Sequence, residues 1–184
     1  MNEQISPEKI AKEAKSAYHR GDFLQAARSY EAARQAYLVR DDQLNAAEMA
    51  NNASVAFLQG GDAESALKAA ESTAEVFAQA SDLRRQGIAL GNIGAALDAL
   101  DHDEEALAFY QQSADVLERA GEDQFRASVM QSLSMLQFRT GRQLQALSTM
   151  QHGLEQVKYP SPKQSFLKKL LRIPLDMATR NKPS

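Results

Sequence analysis

Few side chains in this sequence have the type and spacing that catalysis or metal binding requires. The three histidines are His19, His102 and His152, and none lies in an HExxH motif or at a regular spacing from a carboxylate. The chain has no cysteine, which excludes a thiolate metal site, a cysteine nucleophile and disulfide bonds. No Ser/His/Asp arrangement and no carboxylate pair suggests acid, base or nucleophile chemistry. We therefore expect a protein that is not an enzyme and that uses no metal or cofactor.

Two further patterns resemble ligand sites but have simpler explanations. Gly87, Gly91 and Gly94 lie within a helical period, with no preceding strand and no following Lys-Ser/Thr, so close helix packing explains them better than a phosphate loop. The acidic run Asp101–Glu105 marks a helix start, where carboxylates favour the helix dipole. No loop of alternating oxygen ligands follows it, so we expect a structural role instead of a cation site.

Asn52 and Asn92 are the polar side chains whose placement points most clearly to binding. They are 40 residues apart. Asparagine is a mediocre residue for a helix interior, and its amide carries both donors and acceptors. Amides on successive helices could bind the backbone of an extended peptide, or they could join one helix to the next. Both interpretations remain open from the residues alone.

The same interval of 40 runs through most of the chain and indicates four copies of one unit. The turn markers of the four copies are Gly21, Gly61, Asp101 and Gly141. The alanines that follow each marker by five residues are Ala26, Ala66, Ala106 and Ala146. Each copy begins with small or apolar residues at i, i+3, i+4 and i+7, as at Leu90, Ile93, Gly94 and Leu97, which predicts an amphipathic helix.

A second helix completes each copy. Gly21-Asp22 and Gly61-Asp62 predict the turn before it, because glycine adopts the left-handed conformation that ends one helix and aspartate can cap the next. Neither helix of such a hairpin buries its apolar face alone. Neighbouring hairpins must therefore stack into a continuous core, which predicts an all-α solenoid.

The columns of this repeat resemble the tetratricopeptide repeat (TPR). The family's small, turn and aromatic positions correspond in the first copy to Ala14, Gly21, Phe23, Ala26 and Tyr30. In the third copy they correspond to Gly94, Asp101, Asp103, Ala106 and Tyr110. The family period is about 34 residues, so the chain is similar to the longer repeats of kinesin light chains and of the adaptors that bind GoLoco peptides. The resemblance implies a right-handed superhelix, and HEAT repeats, with a period near 40, are the alternative.

We expect a TPR-like domain over residues 1–158 and a separate segment over 159–184. The four copies cover about 7–40, 41–80, 81–120 and 121–158. Pro160 and Pro162 then break the helical period. The segment from Gln164 to Arg180 predicts a basic amphipathic helix with Phe166, Leu167, Leu170 and Leu171 on one face. It would cap the last repeat, or alternatively contact an anionic membrane or a partner.

Charge and composition limit the possible partners. Residues 158–184 contain 7 basic residues and 1 acidic residue, whereas residues 1–157 contain 14 basic and 23 acidic residues. An acidic repeat region argues against nucleic acid as a partner, because phosphate binding needs clustered lysine and arginine. No signal peptide and no run of about 18 apolar residues is visible, so we expect a cytoplasmic protein.

The resemblance places the binding surface on the first helices, which line the concave groove of a TPR superhelix. The predicted groove residues are Lys12, Lys15, Asn51, Asn52, Val55, Asn92, Gln131, Ser132, Met135, Phe138 and Arg139. Apolar side chains alternate with amides along this groove. We expect a positive group at each end of the groove, with Lys12 and Lys15 at one end and Arg139 at the other. Ile88 and Asn92 replace the basic pair of the chaperone-binding carboxylate clamp, so that function is not implied.

These residues predict a non-catalytic adaptor that binds a peptide or helix of a partner protein. Two alternatives remain, a self-assembling scaffold and a domain that regulates a partner enzyme. The oligomeric state stays open.

Overall fold

In a computed structural model of the chain, residues 6–155 and 157–169 are described, and they form helices joined by short turns. The helices within these residues are α1 Pro7–His19, α2 Phe23–Val39, α3 Gln43–Gln59, α4 Ala63–Ala70, α5 Thr73–Gln79, α6 Leu83–Ala99, α7 Asp103–Arg119, α8 Asp123–Arg139 and α9 Gln143–Glu155. A short helical segment follows over 162–169. The described residues contain no strand, which confirms the all-α prediction.

The turns follow the repeat almost to the residue. Gly21, Gly61 and Gly141 have φ of +81° to +83°, and Asp101, in the same column of the third copy, has φ of +59°. A left-handed residue therefore ends the first helix of every copy, with or without glycine. The aspartate cap is less regular. The Asp62 carboxylate accepts the backbone N–H of Ser65 at 3.0 Å.

Asp22 does not cap α2, which corrects the prediction for the first copy. Its Oδ2 instead accepts from Arg20 Nε at 3.1 Å. An ion pair with a neighbour two residues away therefore replaces the bond to the helix N-terminus. In the second and third copies, Asp42 and Asp82 cap the first helices α3 and α6.

The second helix of the second copy is broken, whereas the periodicity predicted one continuous helix. α4 ends at Ala70 and α5 begins at Thr73. The buried Thr73 hydroxyl donates to the Ala70 carbonyl at 2.8 Å. A threonine that bonds back to the preceding turn competes with the helical ladder and bends the helix. Ser72, with φ −105° and ψ −3°, lies at the bend.

Two hydrophobic clusters form the core, and they meet at α3. The first joins α1, α2 and α3 and is mostly alanine, with Tyr30, Tyr37 and Met49 as its large members. The second extends from α3 to α8 and contains larger side chains such as Phe77, Leu97 and Leu136. Alanine side chains let α1, α2 and α3 approach closely, whereas the helices from α4 to α8 pack through larger interdigitated apolar side chains.

The packing of neighbouring copies defines the curvature. The first helices of the second, third and fourth copies approach each other, α3 with α6 and α6 with α8, whereas α1 does not come comparably near α3. Second helices of successive copies show no comparable approach within the described residues. The first helices α3, α6 and α8 therefore lie on the inner side of the array. None of the helices in the described part of the chain combines the length and apolar composition that crossing a bilayer requires.

The described part of the C-terminal segment packs on the fourth copy. Val157 is buried, and Gln124 Nε2 donates to the Tyr159 carbonyl at 3.1 Å. Lys168 Nζ donates to the Leu154 and Glu155 carbonyls at the end of α9. A lysine at this end of a helix satisfies free carbonyls and favours the helix dipole.

The predicted apolar face of this segment is only partly in the described region. Phe166 is 69% exposed, and Leu167 is half-buried. Leu170, Leu171 and the remainder of the predicted helix to Arg180 lie outside the described residues. The role of the segment as a cap therefore stays a prediction.

Candidate functional groove

The candidate groove is built from one side of the four first helices. Lys12 and Lys15 lie on α1 and are exposed. Asn51, Asn52 and Val55 are half-buried on α3. Asn92 is half-buried on α6. The α8 residues of the predicted set are Gln131, Ser132, Met135, Phe138 and Arg139.

The two predicted asparagines do not have the same surroundings. Asn92 Nδ2 donates to Asn51 Oδ1 at 2.9 Å, so this amide joins α6 to α3 across the repeat junction. Asn52 makes no side-chain hydrogen bond within the described residues, although it is half-buried. The alternative of a helix-to-helix bond therefore applies to Asn92, while the Asn52 amide keeps its full hydrogen-bonding capacity.

A depression of about 440 Å³ lies between α3 and α6 beside these amides. Its lining comprises Glu48, Asn51, Asn52, Phe77, Asp82, Arg84, Arg85 and Ile88. Sequence reasoning singled out the two asparagines for the groove but missed the charged residues. Glu48 lies 40 residues after Glu8, and Arg85 lies three residues after the capping Asp82. The sequence therefore shows both charges, but it does not show that Glu48 and Arg85 pair with each other.

The charges in this depression are already paired. Arg85 Nε lies 2.6 Å from Asp82 Oδ2, and its Nη1 lies 3.0 Å from Glu48 Oε2. The Arg85 guanidinium also lies 5.2 Å from the centroid of the Phe77 ring, within the roughly 6 Å of a cation–π contact. The backbone N–H of Arg85 lowers the pKa of Asp82, and the hydrogen bond to Asp82 raises the pKa of Arg85. This network joins two copies and leaves little net charge for a ligand.

The far end of the groove is less positive than expected. Arg139 Nη2 lies 2.7 Å from Asp98 Oδ1 and also pairs with Asp103. The Asp103 and Asp98 carboxylates raise the pKa of Arg139. Two carboxylates from the preceding copy therefore offset this charge, which corrects the prediction of a positive group at both ends. Lys12 and Lys15 have no ion pair in the described part of the chain, so the positive end is at α1.

A part-buried hydrogen bond lies in the groove wall behind Arg139. Burial raises the pKa of the Tyr110 phenol, and the neighbouring Asp98 carboxylate adds to the effect. The Tyr110 hydroxyl donates to Asp98 Oδ2 at 3.4 Å. Asp98 is thus held between Tyr110 and Arg139, which positions the third and fourth copies relative to each other.

Two large apolar side chains remain exposed on α8. Met135 is 63% exposed and Phe138 is 64% exposed. Both belong to the predicted groove set, and their spacing of three residues places them on one side of the helix. They are candidate anchors for an apolar side chain of a ligand. In residues 6–155 and 157–169, no cluster of histidine and carboxylate side chains is arranged to hold a metal ion.

Comparison of the fold with solved structures finds helical repeat proteins. The chain resembles a Rap protein complexed with competence and sporulation factor, with a TM-score of 0.71 and 13% identity over 85% of this chain and 44% of that one. It also resembles aspartyl phosphate phosphatase F from Bacillus subtilis, with a TM-score of 0.77 and 15% identity over 95% and 47%. A third neighbour is BtubC (BKLC) from P. vanneervenii, with a TM-score of 0.64 and 18% identity over 81% and 59%.

The fold is a TPR-like helical solenoid. This confirms the predicted fold class over the HEAT alternative. The chain spans less than two thirds of the length of each of these neighbours. No protein-family model and no curated protein sequence matches it.

Proposed function

We propose that the protein is a non-catalytic adaptor that binds an extended segment of a partner protein in the groove of its first helices. The observation that carries the proposal is the half-buried Asn52 amide, which has no hydrogen-bond partner within the described residues and borders the depression between α3 and α6. The Asn52 amide is open to solvent and can exchange water for the backbone groups of a peptide, and a net hydrogen bond of this kind contributes about 0.5–1.5 kcal/mol.

The Asn51–Asn92 pair is compatible with the same role. The pair uses one donor of Asn92 and one acceptor lone pair of Asn51. Each amide has two N–H donors and an oxygen with two lone pairs, so capacity remains on both residues. A bound backbone could therefore contact Asn52 and the free groups of the pair. The pair would fix the orientation of those groups before the ligand arrives, which lowers the entropic cost of binding.

The charges of the groove suggest what the ligand segment contains. Arg85 and Arg139 are each paired with two carboxylates, so the middle and far end favour uncharged residues. Met135 and Phe138 offer contact for an apolar side chain. Lys12 and Lys15 would favour an acidic group at the α1 end. We infer an extended segment that carries an acidic group at one end and an apolar residue at the other.

Regulation of a partner protein is a second candidate. One structural neighbour is a Rap protein complexed with competence and sporulation factor, and another is named a phosphatase. The fold therefore occurs in a protein that holds a bound factor, and the long repeat resembles those of peptide-binding adaptors. The groove of this chain would then control the partner by occupying a segment of it, and the chain itself would do no chemistry.

The test is a titration with a partner recovered by pull-down with the intact chain. Asn52→Ala should weaken binding by about 0.5–1.5 kcal/mol, which is roughly 2-fold to 13-fold. Its unfolding midpoint should stay unchanged, because Asn52 bonds no other part of the described chain. Asn92→Ala should lower both affinity and stability, since it also removes the bond between α3 and α6.

The matched control is Gln112→Ala, which removes an exposed amide from the second helix α7. It should change neither affinity nor stability. If Asn52→Ala binds as tightly as the unchanged protein, the groove proposal is wrong for this partner. If Asn52→Ala instead loses stability, the amide has a structural role.

A further inference from the structure

A second cavity lies between the first and second copies and shares no lining residue with the groove depression. It has a volume of about 350 Å³. α2 forms one wall, α3 forms the floor, and α4 and α5 with the bend between them form the other wall. Its floor includes Ala46, Ala47 and Ala50. At 100° per residue these alanines lie roughly 145° around α3 from Glu48, Asn51 and Asn52, so the cavity opens on another side of the helix.

The cavity exists because the second copy has small side chains where the later copies have large ones. Ala50 occupies the column of Leu90 and Met130, both of which are buried at their own repeat junctions. Ala46 occupies the column of Gln86 and of the buried Arg126. The same chain thus fills this space at two junctions and leaves it open at the first.

The opposite wall shows the same difference. Ala69 on α4 occupies the column of Phe109, which packs against the core in the third copy. The bend after Ala70 adds to the opening, because Ser72 and Thr73 line the cavity there. The Thr73 hydroxyl is engaged with the Ala70 carbonyl, so the bend is held by a buried hydrogen bond.

The rim of the cavity carries one unmatched positive charge. Arg34 Nε lies 3.0 Å from Glu31 Oε2, so these two rim charges offset each other. Lys68, on the other wall, makes no ion pair within residues 6–155 and 157–169. A cavity of about 350 Å³ with an apolar floor and a few polar groups at its edge is typical of a small-molecule site. The unmatched ammonium favours a ligand with one negative group.

We propose that this cavity binds a small amphipathic acid, with its apolar chain on the alanine floor and its carboxylate at Lys68. Leu38, Phe57 and Val76 supply the apolar sides of the cavity. The walls come from α2 of the first copy and α4 and α5 of the second, so a ligand bridges two copies. Binding therefore stabilises the first repeat junction, and this site acts independently of the peptide groove.

Octanoate is the probe for the test, used below the concentration at which it forms micelles. Backbone amide NMR shifts should saturate at millimolar octanoate and be confined to α2, α3, α4 and α5. Ala50→Leu places the leucine of the third copy into the cavity and should weaken binding at least about 10-fold, because the added side chain occupies the ligand's space. Ala69→Phe, which copies Phe109, does the same from the other wall. The unfolding midpoint of either variant should stay the same or rise.

Ala108→Leu is the matched control, because it makes the same change on the exposed surface of α7. Its octanoate affinity should equal that of the unchanged protein. A folded Ala50→Leu or Ala69→Phe variant that keeps full affinity overturns the assignment of the cavity. Saturating shifts elsewhere, or no saturable shift at all, overturn it as well.

The charge of the ligand is tested with octylammonium, which has the same chain length and the opposite charge. It should bind at least about 10-fold more weakly than octanoate, and Lys68→Ala should remove most of the difference. Equal binding of the two probes would overturn the assignment of Lys68. Asn52→Ala should leave octanoate binding unchanged, so this outcome is separate from that of the peptide groove.

Discussion

Gly94→Ala probes the contact between the two helices of the third copy. Gly94 lies in α6 against the ring of Tyr110 on α7. A Cβ at Gly94 would stand 2.8 Å from Tyr110 Cδ1 and 3.1 Å from Cε1. The ring is buried and its hydroxyl donates to Asp98, so it cannot turn aside without losing that bond. Either α6 or the ring must therefore shift.

Two opposing effects set the magnitude. Alanine is favoured over glycine inside a helix by about 0.8–1.0 kcal/mol. Forcing an extra carbon into a packed core costs about 1–3 kcal/mol. The first copy holds Ala14 and Tyr30 in the same two columns, both buried, so a hairpin of this kind accepts the methyl group after a small displacement. We therefore expect a net destabilisation of about 1 kcal/mol.

Urea denaturation followed by circular dichroism measures this change. The second arm of the experiment repeats Gly94→Ala in a Tyr110→Ala background. There the clash is absent and only the helix preference remains, so the substitution should stabilise by about 1 kcal/mol. The control is Gly60→Ala, whose Cβ would stand 2.8 Å from Leu24 Cδ2, 3.1 Å from Leu24 Cγ and 3.3 Å from the Phe57 carbonyl oxygen. The Leu24 side chain is 46% exposed and can move, so this change should cost less stability than Gly94→Ala.

The reasoning would be refuted if Gly94→Ala raised the stability of the unchanged protein by as much as it raises the stability of the Tyr110→Ala variant. The glycine would then have no packing role, and the third helix pair would not depend on close approach at this position. An equal loss of stability in both backgrounds would instead locate the clash at another neighbour of α6.

Three further predictions concern packing, charge and the C-terminal segment. Ala106→Leu should destabilise by about 1–3 kcal/mol, because Ala106 is fully buried, and an unchanged denaturation midpoint would contradict the repeat alignment. Asp82→Ala should lower the thermal midpoint equally between pH 6 and 8. Because the hydrogen bond from Arg85 lowers the pKa of Asp82 in the folded state, its contribution is lost as the pH falls below about 4, and the difference between variant and parent should shrink there. Deleting residues 159–184 removes the bonds of Gln124 and Lys168 and should lower the midpoint, whereas an equally stable protein that no longer binds anionic vesicles would favour the membrane interpretation.

The sequence by itself determined the helices and their order, except for the break that divides the second helix of the second copy into α4 and α5. The interval of 40 residues fixes where each hairpin turns, and the structure has left-handed residues at Gly21, Gly61, Asp101 and Gly141. These features depend on backbone conformation and on apolar periodicity within one helix, which are local properties that neighbouring residues encode. The failure of the Asp22 cap is also local, but it depended on a competing bond to Arg20 that the pattern of caps does not reveal.

The bend after Ala70 shows the limit of a pattern based on helical period. Thr73 fits the period of the second helix as well as Ala33 and Ser113 do in the same column. Its hydroxyl bonds back to Ala70, whereas the Ser113 hydroxyl donates across to the Gly87 carbonyl of α6 at 2.6 Å. Which carbonyl a buried hydroxyl reaches depends on the distance to the neighbouring helix, and that distance is a tertiary property.

Only the tertiary structure decided which groove side chains are free. Asn52 and Asn92 occupy equivalent places in the repeat, yet Asn92 bonds Asn51 and Asn52 has no partner in the described residues. Arg139 is paired across the junction between the third and fourth copies, which no spacing within one copy predicts. The physical reason is that the offset between successive copies determines which polar groups meet, and that offset results from the packing of every helix pair in the array.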